Sequence, residues 1–211
     1  MKHFTCRRCL VALAVVGLPL GCIRMDGDRA DIMLMHIPTV LALVGSIAFA
    51  ARARLTDAAC VMLFGFYVLH VLGAHYYYAC VPYDNWARAL LGHDITATFG
   101  FSRNHYDRLV HLGFGLLLYL PAREWLGRHG LSGWRAGAGS VVLLLSWSAA
   151  YEMFEWLVAI VMDPDRAERY NGQQGDFFDA QKDMALAFAG SALSAGVEAA
   201  ASLFRREAVT A

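Results

Sequence analysis

Charge is scarce in this chain. Of its 211 residues only 17% are Asp, Glu, Lys or Arg, and 18 basic residues balance 18 acidic ones, for a net charge of zero. Soluble domains carry roughly 25% charged residues. The deficit and the neutral balance exclude a disordered chain and a basic nucleic-acid-binding face. Five cysteines in so long a chain exclude a disulfide scaffold. Cys6 and Cys9 form a single C-x-x-C with no second pair to complete a zinc site. There is no internal repeat, no low-complexity tract, no phosphate loop, no dinucleotide fingerprint, no G-x-S-x-G and no H-E-x-x-H.

What is abundant is apolar length. Hydrophobic residues make up 58% and the mean hydropathy is +0.42. Residues 32–51 carry no formal charge over 20 positions, and residues 58–83 carry none over 26. Residues 136–162 hold two Glu and residues 184–204 hold one. About 20 residues at 1.5 Å each cross the hydrocarbon core. Shorter apolar runs at 9–23 and 109–122 complete the set. The pattern predicts one all-α integral-membrane domain over residues 1–211, with about six spans near 9–24, 33–51, 58–79, 105–122, 136–162 and 180–204.

Lys2, Arg7, Arg8, Arg52, Arg54, Arg123, Arg128, Arg135, Arg205 and Arg206 flank one side of these spans and face only Asp57, Glu124 and Glu207. The positive-inside rule then places both termini in the cytoplasm of a multi-pass protein of the bacterial inner membrane. The first span also resembles a signal peptide, with Leu18-Pro-Leu-Gly-Cys22 as a cleavage alternative. Cys22 and Cys80 both fall at outer helix ends, where pairing is open. Trp86, Trp125 and Trp134 read as interfacial anchors, and Ala187, Gly190, Ser194 and Gly196 as helix-packing positions.

Ionisable residues inside such spans carry the functional signal, because each is costly in lipid unless it meets a partner or water. The fourth span opens Asn104-His-Tyr-Asp107-Arg108-Leu-Val-His111, with Asp107 and His111 on one face. The fifth holds Glu152 and Glu155, and the sixth begins with Gln173, Gln174, Asp176, Asp179, Lys182 and Asp183. By helical rise, His75 lies about 26 Å along the third span and Glu152 about 24 Å along the fifth, at the same depth as the entrances of the fourth and sixth.

These residues predict one polar pocket in the outer half of the bundle. Its expected catalytic groups are His111, Asp107, Glu152 and Asp179. Asn104, Arg108, Gln174, Asp176 and His75 are expected to bind substrate, and Glu155, Asp183 and His111 to bind a metal. A carboxylate excess calls for protons or a cation, so a divalent cation is the candidate cofactor. Gln173, Gln174 and Asp176 are expected to cap the last helix, with their loop over the pocket.

Three activities fit. One is an enzyme acting on a lipid or lipid-linked substrate, with a carboxylate as general base. A second is a non-enzymatic transporter or lipid-binding module. The third is a structural network that pairs Asp107 with Arg108, Glu155 with Lys182 and His111 with a tyrosine. His70 reads as a hydrogen-bonded core histidine, and Glu198 as a residue that snorkels or meets Arg206. The bilayer is the only partner implied, with no nucleic acid.

Gly100-Phe-Ser-Arg-Asn-His-Tyr-Asp-Arg-Leu-Val-His111, Tyr151-Glu-Met-Phe-Glu-Trp156 and Gly172-Gln-Gln-Gly-Asp-Phe-Phe-Asp-Ala-Gln-Lys-Asp183 resemble the signature blocks of the YjdF family of uncharacterised bacterial inner-membrane proteins. The resemblance implies topology and no activity. More distantly, the order Asp107-Arg-x-x-His111, Glu152-x-x-Glu155, Asp179-x-x-x-Asp183 is similar to the VanZ-like membrane proteins linked to teicoplanin resistance. Those carry Gln and Asn where this chain has Glu155 and Asp183.

Overall fold

The computed structural model describes Val11 and residues 29–210, with side chains over residues 33–204. The predicted first span, the Cys6–Cys9 pair and Cys22 therefore lie outside the described residues, Val11 apart. Among the described residues all regular structure is helical. The elements are α1 (Arg29–Arg52), α2 (Asp57–His75), α3 (Tyr83–Leu91), α4 (Ile95–Phe99), α5 (Tyr106–Arg128), α6 (Gly133–Val161), α7 (Pro164–Asn171) and α8 (Asp179–Thr210).

Four of these helices are long and apolar enough to cross a membrane: α1, α2, α6 and α8. Their outward faces are greasy. Leu41 is 68% exposed, Val142 64% and Val161 80%. The buried positions include Ser140, Ser148, Ser191, Thr39, Asp179 and Asp183. A water-soluble bundle has the opposite arrangement, so this exterior is built for lipid. Helix α5 has comparable length, 23 residues, but is not apolar enough to pass as a span on composition. It packs against α2, α6 and α8, and so takes its polar groups inward.

The helices alternate in direction. Thr39 meets His70, and Ser46 meets Tyr67, so α1 and α2 run antiparallel. The Tyr106 hydroxyl reaches the Leu69 carbonyl near one end of α2, and Glu124 reaches Thr56 at the other, so α5 reverses again. Helices α5 and α8 run the same way, because Arg108 meets Asp183 and Arg123 meets Glu198. This is the relative direction that consecutive crossings require.

The α5–α8 contact is backbone on backbone. A Cβ added at Gly115 would lie 2.1 Å from the Ala187 carbonyl oxygen, and one at Gly190 would lie 2.4 Å from that of Leu112. Ala187 is fully buried, and the Ser194 hydroxyl donates to Leu116 O. Small residues let the two helices touch, as expected for membrane packing. Gly196 is the exception among the packing positions, since nothing lies within 4 Å of its Cβ position.

Several expected boundaries move. The third span was expected to reach residue 79, but α2 stops at His75. Tyr77 and Tyr78 adopt φ of 52° and 51°, and the Tyr78 amide donates to Gly73 O. The turn folds the Tyr78 ring onto Gly73, where a Cβ would sit 2.5 Å from it. Its hydroxyl hydrogen-bonds His70 Nδ1. Helix α5 continues through Pro121 to Arg128, six residues beyond the apolar run. The short helices α3, α4 and α7 in the connections were not anticipated. Cys80 is free and exposed, so it does not pair with Cys22.

Candidate functional site

The first turns of α5 and α8 enter the bundle side by side, and both begin with charge. Asp107 and Arg108 of α5 are buried, as are Asp179 and Asp183 of α8. Burial of bare charge is expensive, so pairing decides their geometry. Arg108 lies between three carboxylates. Its guanidinium stands 2.6 Å from Asp179 Oδ1, 2.6 Å from Asp183 Oδ1 and 3.0 Å from Asp176 Oδ2, and it also donates to the Asp179 carbonyl. Arg103 closes the lattice, 2.9 Å from Asp107 Oδ2 and 2.7 Å from Asp179 Oδ1.

Arg103 was absent from the expected site. It stands in the loop ahead of α5, four residues before Asp107, and its side chain is only 7% exposed. The i,i+4 spacing was the available signal. The loop ahead of α5 is not helical, yet it folds the side chain back to the same place.

The rim is tied from three segments. The Gln174 side-chain amide accepts from Asn104 N and donates to Asn104 O, so it pairs with that backbone as a strand would. Asn104 in turn donates to Val81 O, and Arg103 donates to Gly172 O. Positive φ at Gly172 (66°), Gln174 (51°) and Gly175 (78°) lets the short loop make these turns. The loop ties to the rim of the charged cluster, through Arg103, Asn104 and Arg108, but the expected cap is corrected. Helix α8 starts at Asp179, and Gln174 serves Asn104 instead of the helix. Only Asp176 acts near the start, accepting from Phe178 N. Hydrogen bonds from Lys182, with Arg108 beside them, pull the Asp176 carboxyl down to about 2.

Deeper in, partners run out. His111 Nε2 faces Glu152 Oε1 at 3.8 Å and Asp183 Oδ2 at 3.9 Å, beyond hydrogen-bond range. Glu152 Oε1 is buried and has no hydrogen-bond partner. These three residues hold one donor atom each within 4.8 Å of one another, as do Asp107, Asp179 and Asp183. The second trio is already filled by Arg103 and Arg108; the first has no Lys or Arg between its donors.

A cavity of about 310 Å³ opens beside the first trio. Asp107, His111, Glu155 and Asp183 line it, as do the polar groups of Thr39, Tyr67, His70 and Ser148. Met35, Pro38, Phe66, Val110, Phe114 and Trp147 supply apolar walls from four helices. Tyr151 and Tyr170 also line it and hydrogen-bond each other. Burial, with the Glu155 charge nearby, pushes the Tyr170 phenol up to about 12, against the hydrogen bond from Tyr151.

The geometry thus brings together His111, Asp107, Glu152, Glu155, Asp179 and Asp183, with Arg108, Asp176, Asn104 and Gln174 around the rim. His75 is apart: its ring packs on Tyr76 with centroids 4.6 Å apart, and it does not line the cavity. The expected pairings differ as well. Lys182 meets Asp176 at 2.7 Å in place of Glu155, and Asp107 meets Arg103 in place of the Arg108 guanidinium. Glu198 accepts from the Tyr119 hydroxyl and from Arg123 Nε, which lies one turn further along α5, while the Arg206 side chain lies outside the described residues. His70 is the hydrogen-bonded core histidine expected, held by Thr39 and Tyr78.

No solved structure matches the chain. "Inner membrane protein YjdF" of Escherichia coli (strain K12) is 32% identical over 166 residues, which cover 78% of this chain and 75% of that protein. Residues 6–202 match the family described as "Predicted membrane protein (DUF2238)". A match over nearly the whole length, with a relative of this identity, is decisive: the chain belongs to the DUF2238 family of membrane proteins.

Proposed function

We propose that this protein of the bacterial inner membrane holds a lipid or lipid-linked substrate in the cavity, with the substrate's polar head at the acidic group and its apolar chain along the walls. One observation carries the reading: the cavity wall is mostly apolar and carries one acidic group of residues, Asp107, His111, Glu155 and Asp183. Its volume of about 310 Å³ falls in the range of small-ligand pockets. An amphipathic molecule matches such a lining, whereas a hydrophilic solute would leave the aromatic walls unused. The bias of Arg54, Arg123 and Arg128 toward the opposite ends of α2 and α5 supports placing the acidic group toward the outer leaflet.

In this reading the polar residues have two jobs. Arg103 and Arg108 with Asp107, Asp176 and Asp179 brace the helices. His111, Glu152 and Glu155, with the second oxygen of Asp183, face the head group. A carboxylate there serves as general base for a group on the head, and His111 stabilises charge that develops on it. The arginine lattice taken alone favours a second reading, a purely structural network that fixes helix register.

Native mass spectrometry of the detergent-purified protein separates the two. Ser148 is buried and lines the cavity, so Ser148→Phe fills it. The lipid reading expects a co-purifying amphiphile on the wild type, reduced about tenfold by Ser148→Phe and unchanged by Val161→Phe on the lipid-facing surface. A wild type that carries no amphiphile, or equal loading of the wild type and Ser148→Phe, overturns the lipid reading.

A further inference from the structure

We infer that His111 Nε2, Glu152 Oε1 and Asp183 Oδ2 form a site for one divalent cation of the zinc class. The inference goes beyond the lipid reading and does not need it.

The first observation is geometric. Two donors that share one metal at about 2.1 Å in tetrahedral array stand roughly 3.4 Å apart. His111 Nε2 lies 3.8 Å from Glu152 Oε1 and 3.9 Å from Asp183 Oδ2, about half an ångström beyond that spacing, and the three donor atoms all lie within 4.8 Å of one another. The donors come from three helices, α5, α6 and α8, which cross at this level.

The second observation is an unmet polar atom. Glu152 is 6% exposed, and its Oε1 has no hydrogen-bond partner while it faces His111. A buried carboxylate oxygen left in this state costs several times what a satisfied one does. Asp183 offers the complement. Arg108 holds its Oδ1 at 2.6 Å, which fixes the carboxylate and turns Oδ2 toward His111. An outer partner that orients a ligand in this way is the usual support of a metal site.

The third is charge. Asp107, Asp176, Asp179, Asp183, Glu152 and Glu155 meet only Arg103, Arg108 and Lys182 among the described basic side chains of the cluster. Three of the six carboxyls are left without a basic partner in a dry region, and each needs a proton or a cation. The surplus sits on the side of Glu152 and Glu155, away from the arginines, which is where the trio lies. A divalent ion there offsets most of it.

The donor set selects the ion. One imidazole nitrogen with two carboxylate oxygens suits Zn²⁺ and similar borderline metals. Ca²⁺ takes six to eight oxygens and Mg²⁺ keeps most of its waters, and this enclosed trio provides for neither. The adjoining cavity leaves room for a water or a substrate oxygen as a further ligand.

The test uses the full chain carrying a purification tag without histidine. After incubation with Zn²⁺ and removal of loosely bound ion, elemental analysis should find about one Zn²⁺ per chain. His111→Ala and Glu152→Gln should lower this at least tenfold, and His93→Ala in an exposed loop should not. Where a variant fails to fold, Co²⁺ added to the wild type decides. The intense visible bands of four- or five-coordinate Co²⁺, lost on adding Zn²⁺, support the site. Less than a tenth of an equivalent of Zn²⁺ on the wild type, metal retained in folded Glu152→Gln, or a Co²⁺ spectrum that stays that of the hydrated ion overturns it. Lipid loading is read separately by mass, so loss of one finding leaves the other standing.

Discussion

Substitution of Gly190 by Ala tests the link between helix packing and the site. The added methyl carbon would lie 2.4 Å from Leu112 O and 2.9 Å from Leu116 N, both backbone atoms that cannot rotate away. Ordinary contact needs about 1 Å more, so α5 and α8 must move apart along their whole entry. Overpacking of this kind costs about 1–3 kcal/mol, and a rigid backbone obstacle puts it at the upper end. Alanine returns up to about 1 kcal/mol through helix propensity. A net loss of about 2 kcal/mol is expected, roughly a thirtyfold change in the folding equilibrium. Gly196→Ala provides the control, because nothing lies within 4 Å of its Cβ position on the same helix. That variant should gain up to about 1 kcal/mol. Reversible denaturation in detergent, followed by far-UV circular dichroism, measures both. Because the same helix pair sets Arg108 against Asp179 and Asp183, Gly190→Ala should also raise hydrogen exchange over residues 103–111. Equal effects of the two glycine variants would refute the claim that backbone contact at Gly190 holds the pair together.

Other outcomes follow from the same geometry. Arg108→Met should destabilise the chain by about 3–5 kcal/mol, since Asp179 and Asp183 lose a buried counter-charge, and adding Asp179→Asn should recover part of that loss in a double-mutant cycle read by thermal unfolding. Asp176 titrates at about 2 in the folded chain, below the ~3.9 of an unfolded aspartate, so its pairs contribute fully above pH ~4 and are lost as pH falls toward 2. Asp176→Asn should therefore be less stable than wild type at pH 6, with the two unfolding curves converging by pH 2. Gln174→Ala removes three hydrogen bonds to Asn104 and Gly172 and should cost about 1–2 kcal/mol, with faster amide exchange confined to the rim segments near residues 81, 104 and 172. Gly175→Val meets no obstacle, but its φ of 78° disfavours a branched residue by about 1–2 kcal/mol, so it should lower the melting temperature more than Arg166→Ala does.

Much of this protein is written in one dimension. Long charge-free runs at residues 32–51 and 58–83 demand helices that face lipid, because an unpaired backbone cannot exist there. Helical spacing then places Asp107 with His111 and Glu152 with Glu155, and alternate chain directions bring them to one level. Those are consequences of rise and period, and the chain carries both without reference to its fold. Partner choice is different. Nothing in the spacing says that Lys182 prefers Asp176 to Glu155, that Gln174 binds the Asn104 backbone instead of capping a helix, or that a non-helical loop still delivers Arg103 to the i,i+4 partner its spacing offers. Each of those is decided by which side chains arrive within about 3 Å once α5 and α8 touch at Gly115 and Gly190. Coulomb energy in a dry interior rises steeply over that last distance. Depth and face are properties of a single helix, so sequence alone determined them; ion pairs, the unmet Glu152 oxygen and the cavity beside it are properties of several helices at once, and only their packing decided them.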